Sequence, residues 1–341
     1  MKCMVIEEFE LPLSFREREV PTLGIGEVLI KVGACGVCST DLKIWQGKHP
    51  EVRKLPLIPG HEVAGEIVEV GMKVEAGLIG KHVVVTSYLS CGACDFCRSG
   101  QENLCSNLGG IIGLTEDGGY SEYLKVPVKY LFFINEDIPF EEAAIIPDAI
   151  ATSYHALTSK VKIQQGETLA VIGAGGLGLH AIQIAKVFGA RVIAIDIKEK
   201  SLALAKEMGS DVVLRAKNDN LVEEIMDLSG GKGVDGVIDF VGDPRMENLA
   251  LNILKVAGRF VAVGYNPEKP FQVNSMLLVS KELEIYGSRA CGRDDVKQVI
   301  DLVTSSKIKP FIGETHPLVE ANLVLDKLGR GDIVGRSVLI P

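Results

Sequence analysis

The stretch from Thr168 to Phe188 admits few folds. Leu169–Ile172 is an apolar run, Gly173-Ala174-Gly175-Gly176-Leu177-Gly178 has the form G-x-G-x-x-G, and Leu177 to Phe188 carries apolar residues at helical spacing. A glycine-rich turn alone is weak, because such turns are common. Set between a strand and a helix, it predicts a dinucleotide phosphate site. Gly173 permits the tight turn, Gly175 lets the backbone approach a pyrophosphate, and Gly178 allows close packing of helix on strand. Gly176 and Leu177 complete the turn, where the free N–H groups and dipole of a helix start favour phosphate. From Thr168 to Ala185 no residue is charged, which imitates a membrane span. The closely spaced glycines, His180 and Gln183 fit strand, turn and helix better.

Strands and helices go on alternating after this point. Val192–Ile195 is the next strand, Ser201 to Met208 a helix, and Val212–Leu214, Val237–Phe240 and Phe260–Val263 are further strands. Such alternation predicts an α/β fold, a doubly wound parallel Rossmann sheet with helices on both faces, over residues 151–285. Val263 and Gly264, closing the last of these strands, are assigned to the cofactor site. The second strand ends at Asp196, 18 residues past Gly178. A carboxylate there accepts hydrogen bonds from the ribose hydroxyls and repels a 2′-phosphate. Ile197 stands where an NADP-binding chain more often has a small residue and a nearby arginine; Lys198 and Lys200 pull slightly the other way. NAD is the cofactor expected. The other reading of Asp196 is a cap for the following helix.

Residues 1–150 differ in rhythm. Short Val/Ile-rich runs, such as Glu27-Val28-Leu29-Ile30-Lys31-Val32 and the segment from Glu62 to Val70, are separated by Gly and Pro. They predict mostly antiparallel strands in a small barrel or sandwich. Residues 286–341 return to mixed strands and end in Ser337-Val338-Leu339-Ile340, completing the first domain. A length of 341 residues suits two domains. The net charge of −9 disfavours nucleic acid or an anionic membrane as partner. The start, Met1-Lys2-Cys3-Met4-Val5-Ile6-Glu7, lacks the apolar segment and cleavage site of a signal peptide, so a cytoplasmic protein is expected.

Five of the eight cysteines fall into spacings that a metal uses. Cys91-x-x-Cys94-x-x-Cys97-x₇-Cys105 puts four thiols in one loop, enough to close a tetrahedral zinc shell. A closed shell without an open position is structural. Disulfides and an iron–sulfur cluster are the competing readings, and a reducing compartment weighs against the first. Cys38, in Cys35-Gly36-Val37-Cys38-Ser39-Thr40-Asp41, and His61, in Pro59-Gly60-His61-Glu62, supply one thiolate and one imidazole. That pair begins a catalytic zinc site with room for water or substrate. A lone cysteine and a lone histidine are more often core residues.

With these motifs in this order, the chain resembles the zinc-containing medium-chain alcohol dehydrogenases. The likeness runs from Glu27–Val32 to Gly335-Arg336-Ser337-Val338-Leu339. It implies a GroES-like catalytic domain beside the NAD domain, and two zinc ions per chain, one catalytic and one structural. It also implies hydride transfer between NAD and an alcohol/carbonyl pair, in a homodimer or homotetramer.

The resemblance further matches Cys38 and His61 to two catalytic zinc ligands. It places the third at Asp148, in Pro147-Asp148-Ala149-Ile150-Ala151-Thr152. Relatives acting on simple primary alcohols usually have cysteine there, and an aspartate looks more like secondary-alcohol dehydrogenases. Polyol dehydrogenases tend to use glutamate. Glu62 is implied as an alternating ligand, which leaves open whether it or Asp148 is the third. A helix cap is the other reading of Asp148. Thr40 matches the hydroxyl that accepts the alcohol proton; where many relatives continue the relay through histidine, this chain has Lys43. Asp41 either braces His61 or caps a helix. Arg336 matches an arginine that pairs with the cofactor pyrophosphate, or is a surface arginine. Trp45, His49 and His155 are candidates for the substrate pocket. A polyol or sugar dehydrogenase, and a non-catalytic NAD- or zinc-binding protein, are the competing functions.

Overall fold

The computed structural model describes residues 1–52, 54–217 and 220–341, and the chain folds as two units. The first comprises Met1–Asp148, Cys291–Ser305 and Pro310–Pro341; the second comprises Ala149–Ala290 and Ser306–Lys309.

The first unit opens with strands β1 (Lys2–Val5), β2 (Ser14–Glu17), β3 (Glu27–Val37), β4 (Glu62–Val70), β5 (His82–Val85), β6 (Tyr123–Pro127) and β7 (Leu131–Phe133). The second unit holds β8 (Thr168–Ile172), β9 (Arg191–Asp196), β10 (Val212–Arg215), β11 (Val234–Asp239), β12 (Leu254–Ala262) and β13 (Glu284–Gly287). Strands β14 (Ile312–Pro317) and β15 (Arg336–Ile340) return to the first.

In the first unit one sheet runs β14-β15-β3-β4-β5-β7. Long β3 organises it: β4 lies on one edge, while the other edge pairs with β6 along its first half and β15 along its second. Those pairs are antiparallel, as the sequence predicted; β14 and β15 are parallel. From Ala34 to Val37 β3 is buried on both faces, so its end reads as a continuous run and not as alternation.

The returning segment differs from its reading as mixed strands. It contains two helices, Arg293–Thr304 and Ala321–Arg330. Val296, Val299 and Val303 are buried on the first, and Ala321, Val324 and Leu325 on the second. That spacing is a helical stripe visible in the sequence.

The second unit has a six-stranded sheet in the order β10-β9-β8-β11-β12-β13, parallel throughout. Ile172, Ile193, Ile195, Val237 and Phe260 fill its core, each contributing about 1.5–3 kcal/mol by leaving water. Helix Gly178–Val187 follows β8, as the apolar spacing demanded. Chain order reverses between β8 and β11, which opens a crevice at the carboxyl ends of the strands. Among the described residues no helix is long and apolar enough to cross a membrane.

Candidate active site

The four-cysteine loop closes on itself. Cys94 Sγ lies 3.5 Å from Cys97 Sγ and 3.9 Å from Cys105 Sγ, and Cys91 Sγ lies 3.9 Å from Cys97 Sγ. A tetrahedron with zinc–sulfur bonds of ~2.3 Å has edges of about 3.8 Å, so the loop has zinc's dimensions. Gly92 and Gly100 turn the chain at φ +73° and +75°, a region glycine enters without strain. The N–H groups of Ala93 and Cys94 donate to Cys91 Sγ, and that of Cys91 to Cys105 Sγ. Backbone hydrogen bonds at Cys97 and Ser106 draw the Cys94 thiol down to about 5, while burial, then Cys94, push Cys97 up to about 12. The loop favours a thiolate at Cys94 and opposes one at Cys97, so holding all four sulfurs as thiolates requires a cation. None of the eight cysteines forms a disulfide.

The second metal group is assembled from distant segments. Cys38 ends β3 and precedes helix Ser39–Trp45; His61 precedes β4; Asp148 is the middle residue of a wide helical turn, Ile146–Ile150. Asp148 therefore lies inside helical backbone, the next helix starts from Ile150, and wide turns of this kind are frequent at functional sites. Its Oδ2 is 3.6 Å from His61 Nε2 and 3.8 Å from Cys38 Sγ. These are tetrahedral edges for zinc bonded at ~2.0–2.3 Å. The three donors form a possible metal group, and Glu62 is not part of it.

Glu62 has another partner. It is fully buried and held by Arg336, whose Nε donates to Oε2 at 2.8 Å while an NH2 group donates to Oε1. The same NH2 group reaches Asp148 Oδ2 at 3.2 Å. Arg336, expected either at a pyrophosphate or on the surface, is 5% exposed in the first unit, so the surface reading is excluded. A Cβ at Gly36 would sit 1.9 Å from Glu62 Oε2, so glycine there makes room for the carboxylate.

The bracing reading of Asp41 has its geometry, while its N-cap reading is corrected: Cys38 is the N-cap, and Asp41, the third residue of the helix, reaches back to it. Its Oδ1 is 3.1 Å from His61 Nδ1, and its Oδ2 accepts the Cys38 N–H at 2.7 Å across the start of the helix. Sequence reasoning missed Tyr120, wholly buried, whose hydroxyl donates to Asp41 Oδ2 at 3.3 Å. It also missed Cys291, whose thiol donates to the Pro147 carbonyl at 3.3 Å beside Asp148. No spacing rule connects either residue to the metal group.

The electrostatics suit a cation. Burial depresses the His61 imidazole, yet Asp41, Asp148 and Cys38 carry it well above its ordinary value. Burial raises the Cys38 thiol, but Arg336 and His61 bring it down to about 7. Burial likewise opposes ionisation of Asp148, and His61 with Arg336 holds it below the usual carboxylate range.

Thr40 is half-buried on the helix that Cys38 begins. Lys43 lies farther along that helix, and burial lowers its ammonium from the ordinary value, although Cys38 opposes the shift. Trp45 donates its indole N–H to the Leu11 carbonyl at 2.6 Å, and His49 Nδ1 accepts the Glu51 N–H at 3.4 Å. His155 is buried in the second unit, on helix Ala151–His155.

The second unit carries the glycine turn. Gly173 has φ +90°, and a Cβ at Gly178 would lie 1.8 Å from the Gly173 carbonyl oxygen. A Cβ at Gly175 would meet nothing within 4 Å, which leaves that backbone open to a ligand. Gly176 and Leu177 complete the turn; the buried His180 places Nδ1 2.6 Å from the Gly176 oxygen, a brace the sequence did not reveal. Asp196 Oδ2 accepts the Ala174 N–H at 2.8 Å, and Oδ1 accepts the Lys198 N–H at 2.9 Å. Helix Glu199–Glu207 has Lys198 at its start and no side-chain cap, so Asp196 ties the strand end to the turn instead of capping. Ile197 is exposed, and the N–H groups of Val263 and Gly264 both donate to the Asp239 carbonyl at 2.9 Å.

Comparison with known proteins matches both parts of the chain. Residues 24–136 fit the alcohol dehydrogenase GroES-like domain, and residues 176–305 the zinc-binding dehydrogenase domain. An alcohol dehydrogenase of Geobacillus stearothermophilus is 39% identical, covering 99% of each chain. An NAD-dependent alcohol dehydrogenase of Sulfolobus acidocaldarius is 35% identical, again covering 99% of each. The solved structure of acetophenone reductase from Geotrichum candidum, in complex with NAD, superposes with a TM-score of 0.90 at 33% identity, over 100% of this chain and 97% of that one. Full-length identity of this order, joined to both domain matches, settles the family: the chain belongs to the zinc-containing medium-chain alcohol dehydrogenases.

Proposed function

We propose that the chain interconverts a secondary alcohol and its ketone with NAD, and handles primary alcohols less well. The observation that carries this reading is the Cys38–His61–Asp148 group. A carboxylate in place of a second thiolate keeps the ligand charge and makes the shell harder. Zinc there supplies Lewis-acid polarisation of the substrate oxygen, and NAD supplies the hydride acceptor. Cys38, His61 and Asp148 hold the metal; Glu62, paired with Arg336, balances charge beside it. Asp41 fixes the His61 tautomer through Nδ1, leaving Nε2 for the metal. Thr40 accepts the alcohol proton as it passes its own hydroxyl proton on, through the cofactor ribose hydroxyls and water, with Lys43 farther along the same helix. Gly173, Gly175 and Gly178 seat the pyrophosphate, and Asp196 binds the adenine ribose. The acetophenone reductase among the neighbours, named for a ketone, supports the same substrate class.

A substrate panel tests the reading. NAD reduction is expected to be fastest with 2-butanol, slower with ethanol and slowest with sorbitol, far weaker with NADP, and abolished by a chelator. Sorbitol as the best substrate would replace the proposal with the polyol reading. No turnover with any alcohol would leave a binding protein.

We also propose a homo-oligomer joined through the second unit. Strand β13 is one of the two edges of its sheet, and Met276 and Val279 are 74% and 72% exposed on the neighbouring helix Ser275–Lys281. Sedimentation should give a particle of two or four chains; a monomer at micromolar concentration would refute this. The eight unpaired cysteines support a reducing, cytoplasmic setting.

A further inference from the structure

Pro147 immediately precedes Asp148 in the wide turn Ile146–Ile150, and without an N–H it cannot donate back into helix Phe140–Ala144. The turn that carries a metal donor therefore lacks one of the bonds that usually fix helical backbone. Asp148 nevertheless meets three partners with one oxygen. Its Oδ2 lies 3.6 Å from His61 Nε2, 3.8 Å from Cys38 Sγ and 3.2 Å from the Arg336 NH2 group. Such an arrangement works only when its members are held to within about 0.5 Å.

A bond from outside the turn does part of this holding. The buried Cys291 thiol donates to the Pro147 carbonyl oxygen at 3.3 Å, across 144 residues of sequence. Cys291 is itself firmly placed. Ala290, directly before it, is held in the left-handed region at φ +46°, where a side chain is strained. Gly292, directly after it, packs so closely that a Cβ there would lie 2.6 Å from the Gly100 carbonyl oxygen. The Arg293 N–H then donates to Glu102 Oε2 at 3.2 Å, and the Arg293 guanidinium stands 4.6 Å over the Phe132 ring. The sulfur thus reaches Pro147 from a platform fixed on the other side by the cysteine loop and β7. Burial, then Asp148, Asp295 and Glu102, hold the thiol well above its ordinary value, so it keeps the proton it donates. Cys291 stands outside the metal group itself.

We propose that Cys291 is a positioning residue for the catalytic metal: its S–H bond to the Pro147 carbonyl sets where Asp148 Oδ2 meets the ion. The inference rests on the reading of Cys38, His61 and Asp148 as metal donors. A thiol is a weak donor. Partners that orient a metal ligand govern affinity by about 10- to 100-fold, and the lower end is expected here.

The test is chelator titration of the protein carrying both zinc ions, joined to the visible spectrum after cobalt(II) replaces zinc at the Cys38 site. Cys291→Ala should weaken the labile zinc by about tenfold and shift the cobalt bands, while the cysteine-loop zinc and Tm stay near wild type. Cys291→Ser keeps a donor and should recover wild-type affinity to within about threefold, restoring the bands. Cys291→Val fills the position without a donor and should match the alanine protein, which covers the case of alanine failing to fold. Wild-type zinc affinity in folded Cys291→Ala or Cys291→Val would overturn the proposal. A Cys291→Ser protein as weak as Cys291→Ala would also overturn it, because volume and not donation would then be at work. Loss of a sulfur-to-cobalt absorption band in Cys291→Ala would make Cys291 a ligand, with the same result. Wild type holding only the cysteine-loop zinc would instead remove the catalytic metal reading, and this inference with it.

Discussion

Cys94→Ser protein is expected to bind one zinc ion per chain in place of two and to unfold at a lower temperature. Cys94 is central to the loop, 3.5 and 3.9 Å from two other sulfurs, and its thiolate is the most readily formed. Serine at neutral pH offers a hydroxyl, which cannot replace a thiolate ligand. Structural zinc contributes to folding directly, because the unfolded chain lacks the assembled site. If ~4 kcal/mol of that contribution is lost, Tm should fall by about 10 °C at ~2–4 °C per kcal/mol. Elemental analysis and calorimetry read the two quantities together. Retention of both zinc ions with an unchanged Tm would show that the loop is not a metal site.

At the other centre the expected damage is to chemistry. His61→Ala removes a donor that faces Asp148 and Cys38, so turnover should disappear while Tm stays within a few degrees of wild type. Asp148→Ala should weaken zinc binding on the order of 10- to 100-fold or more and make activity depend on added zinc. Asp148→Cys should restore binding, because a thiolate is also an acceptable ligand. Asp148→Asn is the decisive variant: it preserves shape but cannot supply a charged oxygen to the metal or to Arg336. A fully active Asp148→Asn enzyme with unchanged zinc content would sink the assignment and return Glu62 to consideration.

What the sequence disclosed depends on the distance over which each pattern is written. The parallel sheet was legible because strand, glycine turn and helix follow one another within Thr168–Val187. The four cysteines were legible for the same reason. Residue Asp148 entered only through resemblance, since no local rule joins it to Cys38 and His61. Its helix-cap reading failed because the backbone is already helical before it. The Glu62–Arg336 pair and the Tyr120–Asp41 bond were invisible, because they depend on how β3, β4 and β15 are brought side by side. Helix Arg293–Thr304 carries a legible stripe, Val296, Val299 and Val303, with charged residues on its outer face, and was overlooked beside the β-rich run that ends the chain.

The separation between Glu62 and Arg336, 274 residues, also sets an order of events as the chain folds. Cys91 and Cys105 are only 14 residues apart, so their loop closes with little loss of chain entropy. Bringing the more distant pair together costs about 3 kcal/mol more on a logarithmic loop-closure scale. A growing or denatured chain can therefore capture zinc at the cysteine loop while the reactive centre does not yet exist. Its three donors come together only when Asp148 reaches Cys38, 110 residues away, and Arg336 joins Asp148 and Glu62 when β15 docks on β3.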